Sequence, residues 1–140
     1  MSDDSLRRVL DDATDDRHFR AADGRVIRNL RELDRALDDM RDDTFTHHVN
    51  DERHDFSNWA RDVFMDHRLA ENMRTAKDQR TTQVIVLRRI VEALDQRVHD
   101  ARVREERRDA RDARSKEERS ERREDRRDAR ERDDRRNERR

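Results

Sequence analysis

The residues with the most chemical potential are histidines and acids in the middle of the chain. They are His47, His48, Asp51, His54, Asp55, Asp62 and His67. Imidazole nitrogens and carboxylate oxygens are ligands for zinc, nickel and manganese, and on a helix His47 and Asp51 share one face. No HExxH or other fixed ligand spacing accompanies them. We predict neither a metal nor a cofactor, and the candidate ligands are His47, His48 and His54.

Motifs for covalent or phosphate chemistry are absent from the sequence. It has no Cys nucleophile, no Gly-rich loop and no G-x-S-x-G elbow. The acid pairs at 38–39 and 42–43 lie at predicted exposed helix ends, whereas paired carboxylates catalyse only in a cleft that separates their pKa values. We therefore predict a protein that is not an enzyme.

The composition favours a small protein without membrane spans. The chain has 140 residues, of which 52% are charged and 29% are apolar (AVILMFWYC), and it has no Cys. The longest apolar run, Val84–Leu87, is far shorter than the ~20 residues of a membrane span. The first five residues lack the features of a secretory signal. A cytoplasmic protein, free of disulfides, is the expectation.

Charge divides the chain near residue 100. Residues 100–140 contain 18 basic and 15 acidic side chains, against 18 and 22 in residues 1–99. In this tail 10 pairs four residues apart have opposite signs and 14 have like signs, and each pair changes helix stability by only ~0.2–0.5 kcal/mol. We predict an acidic segment at 1–17, a folded domain at 18–99 and a charged tail at 100–140 that is an extended helix or disordered.

Local signals predict a mainly helical α+β domain. Asp23-Gly24 lies between two short apolar runs, which is typical of a β-hairpin with a type I′ turn. Asn29 and Glu32 form a predicted capping box, and Asp55 and Asp66 are predicted N-caps. The apolar spacing predicts helices near 30–41, 44–49, 56–65 and 67–74, and a long one from about 78 past 100 into the tail. The predicted core anchors are Phe56, Trp59, Val63 and Phe64.

The last predicted helix has apolar residues at alternating spacings of three and four. They are Val84, Leu87, Val91, Leu94 and Val98. Two interpretations are open: a face packed on residues 19–73, or the interface of a homodimer. The second would compensate for the small core that a domain of this size can form.

Three segments of residues 19–73 resemble a small uncharacterised domain family found mainly in archaea. They are Asp23-Gly-Arg-Val-Ile-Arg-Asn-Leu-Arg-Glu-Leu33, His47-His-Val-Asn50 and Asp55-Phe-Ser-Asn-Trp-Ala-Arg-Asp-Val-Phe64. The family pattern has Asn where this chain has His54, and Gly where it has Met65, so the resemblance does not imply the family's turn geometry before Asp66. The resemblance implies a fold and an archaeal source, and no reaction.

These observations favour an interaction or structural protein that binds itself, through the C-terminal helix, or another protein. The alternative is an accessory factor that docks on nucleic acid or a nucleoprotein, such as the ribosome or chromatin, through its Arg-rich tail. Against this alternative, nearly every Arg has an acid within a few residues, and the tail has no aromatic side chain for stacking on bases.

Overall fold

A two-stranded antiparallel hairpin and six α-helices make up the computed structural model, which describes residues 4–140. This confirms the predicted α+β, predominantly helical fold. The elements are α1 (Asp4–Arg8), a 3₁₀ turn (Asp15–Arg17), β1 (Phe19–Arg20), β2 (Val26–Ile27), α2 (Leu30–Asp39), α3 (Asp42–His48), α4 (Asp55–Phe64), α5 (His67–Arg74) and α6 (Gln79–Glu138). The chain divides into two units between Val98 and His99.

The hairpin forms where it was predicted, but its turn differs. Phe19 pairs with Ile27, and the Ala21 amide donates to the Arg25 carbonyl at 2.9 Å. A type I′ turn needs positive φ at two residues, whereas within residues 4–140 Gly24 (φ 93°) has a positive φ and Asp23 does not. The type I′ prediction is therefore wrong. The hydrogen bond between Ala21 and Arg25 instead closes a three-residue loop, 22–24, whose last residue is the glycine.

The N-terminal segment is part of the folded unit, which corrects the predicted domain start at residue 18. Val9, Leu10 and Ala13 are buried members of the main apolar core. The Trp59 indole Nε1 donates to the Arg17 carbonyl at 2.8 Å, which joins this segment to α4. Because residues 1–17 are rich in charge, the sequence does not indicate that these three apolar residues belong to the core.

Helix α2 begins with half of the predicted capping box. The Asn29 side chain accepts from the Glu32 amide at 2.8 Å. The Glu32 carboxylate reaches past Asn29 and accepts from the Arg28 amide at 2.9 Å. Both contacts satisfy backbone donors at the start of the helix.

The other end of α2 is joined to α6 by one amide side chain. The Gln79 Nε2 donates to the carbonyls of Leu37 at 2.6 Å and Met40 at 2.9 Å. Carbonyls at the end of a helix lack donors within the helix. The Gln79 side chain supplies a donor to two of them and thereby holds the start of α6 against α2.

The N-cap of α4 is His54, and the prediction of Asp55 is wrong. The His54 Nδ1 accepts from the Ser57 amide at 3.2 Å. Asp55 is the first helical residue, and its carboxylate instead contacts His48. The predicted cap of α5 is confirmed, because Asp66 accepts from the Leu69 amide at 3.1 Å.

Aromatic rings fill the core around α4. The Phe56 ring centroid lies 4.8 Å from that of Phe19 and 6.2 Å from that of Phe45. Phe56, Trp59 and Phe64 are buried, whereas Val63 is only partly buried at the edge of the core. Three of the four predicted anchors therefore lie in the core itself.

Met65 ends α4 in the left-handed region, at φ 55° and ψ 26°. This conformation costs a non-Gly residue roughly 1–2 kcal/mol, and the exposed Met65 side chain offers little burial in return. Met65→Gly is expected to raise the free energy of unfolding by about 1 kcal/mol, measured by urea denaturation. An unchanged or lower value would show that the left-handed backbone is not strained.

Candidate self-association surface

The five apolar residues singled out on α6 lie at the surface of the first unit. Their exposed fractions run from 37% to 54%, in Val84, Leu87, Val91, Leu94 and Val98. The interpretation that the last helix packs on residues 19–73 is confirmed for α6 as a whole, because Val86 and Ile90 belong to the main core cluster, but these five residues are not the part of the helix that packs there. We call these five residues the α6 stripe.

A different face of α6 packs on the core. Val86, Ile90 and Ala93 are buried and belong to the main apolar cluster. These positions lie between those of the stripe, and at 100° per residue the two sets occupy different sides of the helix. The core-facing residues therefore leave the five stripe residues outside the core cluster, with at least 37% of each exposed.

A buried ion pair lies on the core-facing side of α6. Asp66 has no exposed surface and Arg89 is 4% exposed. The Arg89 Nε and Nη2 donate to the two Asp66 carboxylate oxygens at 2.7 and 3.1 Å. Arg89 also donates to Glu92 at 2.9 Å and to Ser5 at 3.3 Å. This network joins α6 to α5 and α1 and leaves the stripe turned outward.

The sequence predicts Asp66 only as a helix cap, and it does not predict a role for Arg89. The available signal was an Arg between Val86 and Ala93 on the core-facing side of an amphipathic helix. A cation at such a position needs a buried carboxylate. Asp66, which is distant in sequence, becomes its partner only through the fold.

The two edges of the stripe differ in their charge contacts. On one edge, Arg88 and Asp95 are exposed, and neither takes part in a salt bridge within the described part of the chain. On the other edge, Gln83 donates to Asp34 at 3.2 Å and Arg97 donates to Asp11 at 3.3 Å. The first edge therefore offers one cation and one anion to a partner.

His48 and Asp55 form a second polar pair, inside the first unit. The Ala22 amide donates to His48 Nε2 at 2.9 Å, so this nitrogen carries no proton. The proton lies on Nδ1, which donates to the Asp55 carboxylate at 2.9 Å. The pair ties the hairpin loop to the start of α4, and both ring nitrogens are occupied by these contacts.

The other two candidate ligands, His47 and His54, do not join this pair in a ligand set. His47 is exposed, and its ring is nearly perpendicular to that of His48 at a centroid distance of 4.9 Å; His54 is buried as a helix cap. Within residues 4–140 no group of three or more His, Asp or Glu side chains is arranged to hold a metal ion. The structure does not bring the predicted candidates together as a ligand set.

Burial lowers the pKa of His54. The nearby Lys77 charge acts in the same direction, while the Ala76 carbonyl and the Asp55 carboxylate oppose it only partly. The buried Nε2 of His54 has no hydrogen-bond partner in the described residues. The folded protein thus favours the neutral imidazole.

Acidification is therefore expected to destabilise the fold through His54. The unfolded chain takes up a proton at an ordinary His pKa of about 6.5, and the folded chain does so only at lower pH. Stability is complete above this value and falls as the pH drops through it. His54→Asn keeps a good N-cap without the titration. Urea denaturation at pH 7.5 and 5.0 should show the larger loss in wild type, and equal losses would contradict this assignment.

The second unit, His99–Arg140, is helical to Glu138, and its side chains are exposed from Arg104 onward. Residues 116–131 include seven basic and seven acidic side chains in alternating groups. At 100° per residue, the basic side chains lie on one side of the helix and the acidic side chains on the other. Of residues 101–140, Arg127 and Glu131 form an ion pair, at 3.7 Å. The segregation gives this part of the helix one basic and one acidic side.

Comparison of the chain with protein-family models, curated proteins and solved structures yields no match. The resemblance of residues 19–73 to an archaeal family stays a prediction. Among the helices of residues 4–140, none combines the length and apolarity needed to cross a bilayer.

Proposed function

We propose that this is a cytoplasmic, non-enzymatic interaction protein that associates with a second copy of itself through the α6 stripe. One observation carries the proposal: five large apolar residues at heptad spacing are exposed together on one side of a helix. Monomers seldom expose a continuous apolar patch beyond a few hundred Å² without a binding role.

The residue types favour a second copy of α6 over an unrelated partner. In heptad terms the stripe has Val at each a position and Leu at each d position. This combination favours two-stranded pairing. Arg88 and Asp95 provide both signs of charge on one edge of the same surface, so the surface can complement itself.

Leu87→Asp is expected to abolish the dimer and leave the fold intact. A charge at the centre of the paired stripe would be desolvated on association, whereas in the monomer Leu87 is exposed and outside the core cluster. Light scattering after size exclusion should give the monomer mass, with an unchanged circular dichroism spectrum. A folded variant that keeps the dimer mass would contradict the proposed interface.

A matched pair of variants tests whether dimerisation depends on the stripe or on any exposed apolar residue. Val91 and Met65 are 54% and 55% exposed, but only Val91 belongs to the stripe. Val91→Asp should give monomers, and Met65→Asp should keep the wild-type mass. Equal effects would show that the dimer depends on some other surface.

A second candidate function is docking on an anionic partner such as nucleic acid through the tail. The basic side of residues 116–131 favours it, because Arg pairs bidentately with phosphate. The acidic side of the same helix opposes it electrostatically. The absorbance ratio at 260 and 280 nm in the same chromatography tests this candidate, and a protein-like ratio at low salt would remove its support.

A further inference from the structure

We propose that two copies of α6 pair in antiparallel orientation, about a two-fold axis level with residues 92–93. The inference rests on the proposed self-association and specifies its geometry. The evidence for the orientation is the charges beside the stripe. The apolar residues of the stripe favour a pair of helices but do not set its orientation.

The antiparallel register aligns every apolar layer of the stripe. Leu87 lies opposite the partner's Val98, and Val91 lies opposite the partner's Leu94. The same alignment places Val84 opposite the partner's Ala101, the next residue in the 3-4 spacing. Each layer combines a larger with a smaller side chain, which suits close packing.

The same register also pairs the charges of Arg88 and Asp95, which lie on one edge of the stripe. Arg88 and Asp95 follow d positions, and in an antiparallel pair such e positions lie opposite each other. Arg88 therefore contacts the partner's Asp95, and the two-fold axis repeats the ion pair. Both side chains are exposed, and neither forms a salt bridge in the described part of the chain. The ion pair between the two copies can therefore form without breaking a salt bridge within either copy.

Parallel pairing brings like charges together. Arg97 would lie beside the partner's Arg102, and neither Arg88 nor Asp95 would face an opposite charge. In addition, the spacing of the stripe continues along the chain to Arg119, Arg122 and Arg126. In a parallel pair each of these would meet its own copy at the centre of the interface, where like charges are destabilising.

Cysteine cross-linking of the full chain distinguishes the two orientations, because the natural sequence has no Cys. Leu87→Cys and Val98→Cys are oxidised separately and as a mixture, with one variant carrying a tag that changes its gel mobility. In the antiparallel pair each position is about 17 Å along the axis from its own copy, beyond the ~7 Å limit for a disulfide. A cross-link is therefore expected only in the mixture.

Charge exchange gives an independent readout of the orientation. Arg88→Asp places two acids at each edge contact and is expected to weaken dimerisation about tenfold. The double variant Arg88→Asp/Asp95→Arg restores opposite charges and should return the dissociation constant to within about threefold of wild type. In a parallel pair the second substitution would not rescue the first.

The outcomes separate this inference from the proposed function. A dimer that cross-links in each variant alone, or in none of the samples, overturns the antiparallel geometry and leaves self-association standing. Monomers in light scattering, before any oxidation, overturn self-association itself. A mixed cross-link together with charge rescue establishes the antiparallel pair.

Discussion

Asp66→Asn is expected to destabilise the folded unit by about 3–5 kcal/mol. The substitution leaves the Arg89 guanidinium, which is almost fully buried, without the carboxylate that it contacts at 2.7 and 3.1 Å. The Asn oxygen can still accept from the Leu69 amide, so the cap of α5 is retained and the lost charge dominates the effect.

Urea denaturation followed by Trp59 fluorescence measures this loss, at one fixed protein concentration because dimerisation adds to stability. Asp62→Asn is the matched control. Asp62 accepts from Arg61 at 2.9 Å, but both side chains are exposed, and such a pair contributes at most about 1 kcal/mol. Equal losses in the two variants would show that the Asp66–Arg89 pair does not hold α6 on the core.

Phe56→Ala is expected to cost about 3–5 kcal/mol, the usual penalty for removing a buried aromatic ring. Phe56 has no exposed surface, and its ring contacts those of Phe19 and Phe45, which lie on β1 and α3. The cavity would therefore lie where the hairpin, α3 and α4 meet.

Val63→Ala is the control for this prediction, since Val63 lies on the same helix and is only partly buried. Its loss should be about 1 kcal/mol, because fewer buried methyl groups are removed. Urea denaturation compares the two variants directly. If Phe56→Ala is no more destabilising than Val63→Ala, the aromatic cluster is not the centre of the core.

The sequence was sufficient for the elements whose signals are local. Asp66 was predicted as a helix cap from its position before an apolar run, and α5 begins as expected. The hairpin was located from Asp23-Gly24, but not its turn type. The same dipeptide fits a two-residue and a three-residue loop, and pairing of Phe19 with Ile27 selects the longer one.

Features that depend on tertiary contact were not predictable from local patterns. Asp55 is a better N-cap residue than His54, yet Asp55 contacts His48, and His54 takes the cap position instead. Val9 and Leu10 belong to the core although they stand in a segment that is rich in charge. In each case a distant residue decides the outcome.

The candidate surface was predicted in its residues but not in its orientation. Spacing identified Val84, Leu87, Val91, Leu94 and Val98, but α6 has a second apolar face at Val86 and Ile90. Either face could have packed on the core. In the structure the core-facing side is the one that carries Arg89, which contacts Asp66, and the stripe lies outside it; the sequence does not show that Asp66 is the partner of Arg89.

Sedimentation equilibrium of the full chain across a concentration series is the most direct test of self-association. If the chain self-associates, its mass rises from 17.2 kDa toward twice this value as the concentration passes through the micromolar range. A mass that stays at 17.2 kDa up to about 1 mM would mean that the free energy of association is weaker than about 4 kcal/mol, and it would contradict self-association.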